Sequence, residues 1–294
     1  MAKTDKQSTK AKIVIPLLRF LANRSLGVSK AILRPLVWIQ RFVPNKSKNV
    51  IDINLQTCLP ELTLQQRLAI RNENIKHNIE LFAEIAYIWF HHYEDNKKLI
   101  HQVNGLTEFK AALAEDKGTL VISPHFGNWE LIWAYMGNEF QSAGLYRPPR
   151  IKELESVRLQ GSAGEVVRTR AIDVRKMLKI LKQGRCLFLL PDQQPPEGSG
   201  EFAPFFGQPA YTMTLLHGLA NRTKSDIWMV TCLRQGEGYV LSFHELPLDG
   251  QLPVEQFNTE LNSQMAYFIK QQPEQYQWSY KRFKKRPRGM EKFY

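Results

Sequence analysis

Apolar positions fall into blocks whose period changes along the chain. Between Leu64 and His92 the stripe Leu68, Ile75, Ile79, Phe82, Ala86 and Trp89 recurs at helical intervals, and Thr63 with Gln66 has capping-box spacing ahead of it. That spacing predicts a long scaffold helix. Gly118 to Ser123 is different: Leu120, Val121 and Ile122 form a short apolar run, closed by Pro124, that reads as a buried strand. From Asn128 the helical period returns with Trp129, Leu131, Ile132, Tyr135 and Met136.

Beyond this corner, strands and helices alternate. A strand is expected at Ala143 to Tyr146, helices near Ile151 to Ser162 and Asp173 to Lys182, and a strand at Cys186 to Leu190. A helix around Met213 to Asn221 precedes strands near Ile227 to Leu233 and Tyr239 to His244, which Gly236-Glu237-Gly238 should join as a hairpin. A helix from Val254 to Gln271 ends at Pro273. The fold class is therefore α/β, a single α/β sandwich domain with its site at the strand ends, where open α/β sheets hold ligands.

The first 48 residues change the picture. They carry eleven Lys and Arg against one acid, and residues 281–294 carry seven against one, so a chain of net charge +12 concentrates its positive charge at its two ends. Such a distribution calls for an anionic layer or an acidic partner. Nucleic acid is disfavoured, because the cations are mixed with Ile13, Val14, Leu17, Leu18, Phe20, Leu36, Trp38, Ile39 and Phe42. Arg19, Arg24, Lys30, Arg34 and Arg41 interrupt these apolar stretches before they reach the length of a bilayer span, which predicts interfacial helices divided by Pro16 and Gly27. The alternative is that these helices simply pack on the core. The start also lacks the pattern of a secretory signal. The expected organisation is basic amphipathic helices at 1–48 followed by 49–294, with a helical lead-in (61–92), an α/β core (103–272) and a basic tail (281–294).

Candidate chemistry lies at the corner after the Gly118 to Ser123 strand. His125 and Glu130 are five residues apart, which on one continuous helix would separate them by about 140°. The turn after Pro124 removes that separation. A neutral imidazole can accept a proton from a hydroxyl while a carboxylate on its other nitrogen fixes the tautomer, the role expected of Glu130, with Gly127 leaving the approach open. Against this stands the plainer reading of a core histidine and a first-turn acid favoured by the helix dipole.

The box HFGNWE at 125–130 resembles the HxxxxE box of the late acyltransferases of lipid A biosynthesis, in the lysophospholipid acyltransferase superfamily. The resemblance extends in order through NLQTCLPE (54–61), GLYRPPR (144–150), LFLLPDQQP (187–195), FFG (205–207) and PEQYQWSYKRFK (273–284). It implies transfer of a fatty acyl chain from an acyl-carrier-protein thioester to a hydroxyl of a lipid A precursor, at the cytoplasmic face of the inner membrane. Some members carry an N-terminal membrane-spanning helix, from which the interrupted stretch here departs. By that resemblance a basic residue after the Tyr146, Arg147 segment belongs to the site, which points to Arg158 for a phosphate or a developing oxyanion. Asp192 and Gln193, after the Cys186 to Leu190 strand, should face the cleft, with Asp192 orienting Arg158 or the acceptor. The backbone N–H groups of Gly127 and Asn128 are expected to receive the oxyanion, and Phe205, Phe206 and Gly207 to wall an acyl groove.

Other chemistries find no support. Cys58, Cys186 and Cys232 form no CxxC pair and read as small core residues. His91 and His92 end a helix without a partner cluster, so no metal is expected, and no cofactor beyond the acyl-carrier-protein thioester. The chain has no GxSxG elbow and no P-loop, which argues against a serine hydrolase and a nucleotide-driven ligase. Two further readings stay open: an acyltransferase or thioesterase acting on another lipid, and a non-catalytic membrane-surface protein.

Overall fold

Runs such as Leu120-Val121-Ile122 and Leu187-Phe188-Leu189 bury both faces of their strands, which requires helices above and below the sheet. The computed structural model describes residues 9–115, 117–146, 151–160, 163–168 and 173–294. In chain order the elements are α1 (Thr9–Ala22), α2 (Leu26–Phe42), α3 (Lys46–Cys58), α4 (Leu64–Phe90), α5 (Tyr93–Lys97), β1 (Ile100–Asn104), α6 (Leu106–Leu113), β2 (Thr119–Ile122), α7 (Trp129–Phe140), β3 (Ala143–Tyr146) and α8 (Leu154–Gln160). There follow β4 (Glu165–Arg168), α9 (Val174–Lys182), β5 (Cys186–Leu189), β6 (Gly200–Phe205), β7 (Gln208–Met213), α10 (Leu215–Thr223), β8 (Asp226–Gln235), β9 (Gly238–Leu246) and α11 (Val254–Gln271).

Among the described residues, seven strands form one sheet in the order β1-β9-β8-β2-β5-β3-β4, and β6 with β7 form a separate ribbon. The large sheet is parallel except at the β8–β9 hairpin. This agrees with the α/β expectation. Side chains alternate between its faces. Leu120, Ile122, Leu187, Leu189, Ile227 and Met229 join a core with the N-terminal helices, α9 to α11 and the C-terminal segment, while Val121, Phe188, Trp228 and Val230 pack with α6 and α7 on the other side.

The N-terminal helices differ from expectation in where they break. Pro16 lies inside α1 and Gly27 in the first turn of α2; the interruption falls at Asn23–Ser25, where the Ser25 hydroxyl caps α2. Residues 1–8 of this segment lie outside the described residues. Leu33 and Val37 turn into the core beside α4, and no helix of the described residues is long and apolar enough to cross a membrane. The basic C-terminal segment packs as well. Phe283 is buried, and the Arg282 guanidinium donates to the Tyr211 carbonyl at 2.7 Å and to Thr212 Oγ1 at 2.8 Å.

A buried ionic cluster ties these layers together. Glu84 of α4, 1% exposed, accepts from Arg234 Nη2 at 2.7 Å and meets Lys30 Nζ of α2 at 2.8 Å. Arg234 Nη1 and the Tyr239 hydroxyl also donate to it. The carboxylate is held below its ordinary range: burial opposes ionisation, and Arg234 and Lys30 outweigh it.

Candidate active site

The site forms where two neighbouring parallel strands end together. β2 and β5 are paired with Ile122 opposite Leu189, and His125 and Asp192 each follow three residues later, behind Pro124 and Pro191. Equal offsets from a shared register bring the two side chains into contact. His125 Nδ1 lies 2.8 Å from Asp192 Oδ1, and the His125 backbone N–H donates to Asp192 Oδ2 at 3.0 Å. The imidazole is thus gripped at its ring and at its own backbone.

Asp192 is 2% exposed and receives further support. Burial alone would raise its pKa, but the charge and two hydrogen bonds of His125, with Arg282 behind, hold it below the ordinary carboxylate value. The buried Tyr276 hydroxyl also bonds to it, and burial pushes that phenol's pKa well up. An ionised Asp192 fixes Nδ1 as the protonated nitrogen, leaving Nε2 as the acceptor. Gln193 Nε2 stands 3.2 Å from that Nε2 and donates to Gln277 Oε1 at 3.2 Å. Gln277 in turn donates its backbone N–H to the His125 carbonyl at 3.0 Å.

Glu130 is placed otherwise than the spacing suggested. It lies in the first turn of α7, whose N-cap Asn128 accepts from the Leu131 N–H at 3.0 Å. Its carboxylate takes Arg158 Nη2 at 2.7 Å and Nε at 3.1 Å, and Trp89 Nε1 at 3.0 Å. The expectation that Glu130 orients the imidazole is therefore corrected: Asp192 holds Nδ1, and Glu130 holds Arg158. The reason is geometric, since the first turn of α7 aims residue 130 at α4 and α8. The expectation that Asp192 orients Arg158 falls with it.

Gly127 and Asn128 also have roles other than those expected. The Gly127 N–H donates to the Gln275 carbonyl at 3.0 Å and the Asn128 N–H to the Cys232 carbonyl at 2.8 Å. Both donors are spent on fastening the corner to β8 and the C-terminal segment, so neither serves as an oxyanion donor in this conformation. Gly127 has φ of +65°, and a Cβ there would meet the Cys232 carbonyl oxygen at 2.1 Å. Close backbone approach, rather than an open path to the ring, explains this glycine.

Tyr146 ends β3, and Arg147 lies outside the described residues, as does Ser162 at the expected end of the α8 helix. Phe205 is buried against Tyr276 and Phe283, while Phe206 and Gly207 turn the β6–β7 hairpin with positive φ. Phe205 is thus core rather than an open groove wall. Residues to which reasoning on types and spacing gave no place in the site are Trp89, read there as scaffold, and Tyr276, Gln277 and Arg282. Three of them lie in the segment PEQYQWSYKRFK, which stands out in the sequence for its resemblance and, from residue 281, for its basic charge.

A sheet of mostly parallel strands with a histidine and a hydrogen-bonded carboxylate at adjacent strand ends is an α/β framework whose imidazole has the chemistry to accept a proton. Sequence comparison specifies it. The family profile described as bacterial lipid A biosynthesis acyltransferase matches residues 12–285, and the chain belongs to that family. It is an acyltransferase. Similar proteins include the lipid A biosynthesis lauroyltransferase of Escherichia coli K12, 27% identical over 260 residues that cover 85% of this chain and 83% of that one. The lipid A biosynthesis palmitoleoyltransferase of the same strain is 27% identical over 300 residues, covering 95% and 89%. A lipid A biosynthesis acyltransferase of Haemophilus influenzae is 26% identical over 246 residues, covering 80% and 76%.

Proposed function

We propose that this chain adds a secondary fatty acyl chain to a hydroxyl of a lipid A precursor, taking it from an acyl-carrier-protein thioester. What carries the reading is the His125–Asp192 pair at the β2 and β5 strand ends, in a chain that belongs to the lipid A acyltransferase family. The acceptor hydroxyl displaces the Gln193 amide from His125 Nε2 and gives up its proton there. Its oxygen then attacks the thioester carbonyl, and Asp192 stabilises the imidazolium. The tetrahedral intermediate collapses with departure of the thiolate, which takes the proton back from His125. No acyl-enzyme is formed. The Glu130–Arg158 pair anchors a cation beside this corner for an acceptor phosphate or the developing oxyanion.

The same reading places the chain on the anionic cytoplasmic face of the inner membrane. Among the described residues, ten of the fourteen large apolar side chains that face solvent lie between Ile13 and Val43. All but Val43, the C-cap of α2, share α1 and α2 with exposed Lys12, Arg19 and Arg34, a composition suited to partial insertion among anionic headgroups. Basic charge also suits the acidic acyl carrier protein.

The test is incubation of purified protein with acyl-carrier-protein thioesters of several chain lengths and a tetra-acylated or penta-acylated lipid A precursor, followed by mass spectrometry. A gain of one acyl chain, absent in His125→Ala, is the expected result. Free fatty acid released without acceptor would favour a thioesterase, and product formation indifferent to His125 would overturn the mechanism.

A further inference from the structure

Between α2, α3 and α4 lies a cavity of about 290 Å³, at the lower edge of the usual range for small-molecule sites. Its walls are Leu33 and Leu36 of α2, Ile51 of α3, and Ile75, Ile79 and Phe82 of α4. None of His125, Glu130, Arg158, Asp192 or Gln193 reaches it. Ser279, two residues beyond the Gln277 that supports His125, is part of its lining.

We infer that this cavity holds one acyl chain of a bilayer phospholipid, a bound lipid distinct from the chain being transferred, and the inference rests on the membrane-surface reading above. Three observations select that occupant. Leucine, isoleucine and phenylalanine side chains make most of the wall, with Gln40, Ser47, Asn78 and Ser279 its polar part, and the volume admits a slender apolar chain. The mouth is framed by Leu36, 46% exposed, and Phe82, 39% exposed, so it opens onto the outward apolar face of α2 where a lipid chain would arrive. Unpaired charge beside the lining is positive: Arg34 and Lys46 are exposed within one turn of lining residues, whereas the acids Asp52, Glu73 and Glu80 are paired with Arg71 at 3.2 Å, Arg41 at 3.2 Å and Arg234 at 3.9 Å. A phosphate headgroup outside with its chain inside satisfies both chemistries. Such a chain would replace solvent against the α2–α4 seam and firm the seating of α2.

The test uses dioctanoyl phosphatidylglycerol as a monomeric probe, titrated into the full chain by calorimetry. Saturable binding of one lipid per chain is expected, weakened at least tenfold by Ile79→Trp, which fills the cavity, and by Leu36→Asp, which puts a carboxylate at its exposed mouth. A melting temperature near that of the parent shows that Ile79→Trp folds, and Leu36→Asp changes a side chain already at the surface. No saturable binding, or affinity unchanged in Leu36→Asp, would overturn the inference. Competition by an acyl-carrier-protein thioester would do so as well, by making the occupant the donor chain. Sedimentation of the same proteins with anionic vesicles is read separately: the parent failing to sediment rejects the membrane-surface reading, whereas Ile79→Trp sedimenting normally but losing the monomeric lipid supports the cavity as the site.

Discussion

At the scale of single residues, the site divides two carboxylates between two tasks. Asp192 serves the imidazole and Glu130 serves a guanidinium, and their contacts do not overlap. If Glu130 acts only by holding Arg158, removing both costs little more than removing one, because residues that work as a unit are non-additive. We expect Glu130→Gln and Arg158→Ala each to lower kcat/KM by roughly 10²-fold, within the range for loss of one transition-state donor, and the double variant to lie within a few-fold of the worse single one. Multiplication of the two effects in steady-state kinetics would contradict that division of labour. The pairing of His125 with Asp192 was hidden in the sequence, because residues 67 apart meet only through the β2–β5 register. Two apolar strands, each followed by Pro and then a titratable residue, carry the signal; the position of Asp192 at a strand end was legible, but its partner was not, because sequence does not show which strands are neighbours.

At the scale of elements, what could be read from the chain was what period and burial mark strongly. Helices α4 and α11 and the strands β2, β3, β5, β8 and β9 were legible as amphipathic stripes or bounded apolar runs, and the Thr63–Gln66 capping box is present. β1 was not, since its IHQVN is largely exposed and polar at the sheet edge. β6 and β7 were missed because Pro204 and Pro209 read as loop; they face each other in a two-stranded ribbon, where prolines need not donate to a further neighbour. α4 carries a pH prediction of its own. Burial first, and then the Arg234 charge, push the His77 pKa down to about 4, against ordinary attraction from Glu84. A histidine depressed in the fold is neutral there while the unfolded chain binds a proton, so its contribution is complete above pH 6.5 and is lost as pH falls from 6.5 towards 4. That amounts to at most roughly 3 kcal/mol. Urea unfolding of His77→Gln should show a shallower loss of stability across this window than the parent, and parallel slopes would show that His77 does not titrate there.

For the molecule as a whole, one face of the N-terminal helices belongs to the core and the other to its surroundings. Leu33 and Val37 are buried, while Trp38, Ile39 and Phe42 are 58%, 53% and 70% exposed. Burying a side chain of this kind is worth about 1.5–3 kcal/mol, so Trp38→Asp with Ile39→Asp should weaken association with anionic vesicles by at least tenfold in a sedimentation assay. Added salt should weaken the parent too, because the headgroup attraction is screened. Vesicle binding equal in parent and variant would place the contact surface elsewhere. The basic ends, legible from charge alone, turn out to be used unequally: Lys30 and Arg282 are drawn inward to Glu84 and to the Tyr211–Thr212 backbone and hydroxyl, Arg41 and Lys285 pair with Glu73 and Glu197, and Lys12, Arg19 and Arg34 are exposed.

In the proposed reaction Asp192 is the group that makes His125 a base. The decisive measurement is the steady-state rate of acyl transfer by Asp192→Asn against the parent, with Glu130→Gln alongside. Replacing the carboxylate by an amide leaves shape nearly unchanged but no longer fixes the productive tautomer, and kcat should fall by about 10²- to 10⁴-fold with KM little changed. An Asp192→Asn enzyme within a few-fold of the parent would contradict the account and return the supporting role to Glu130.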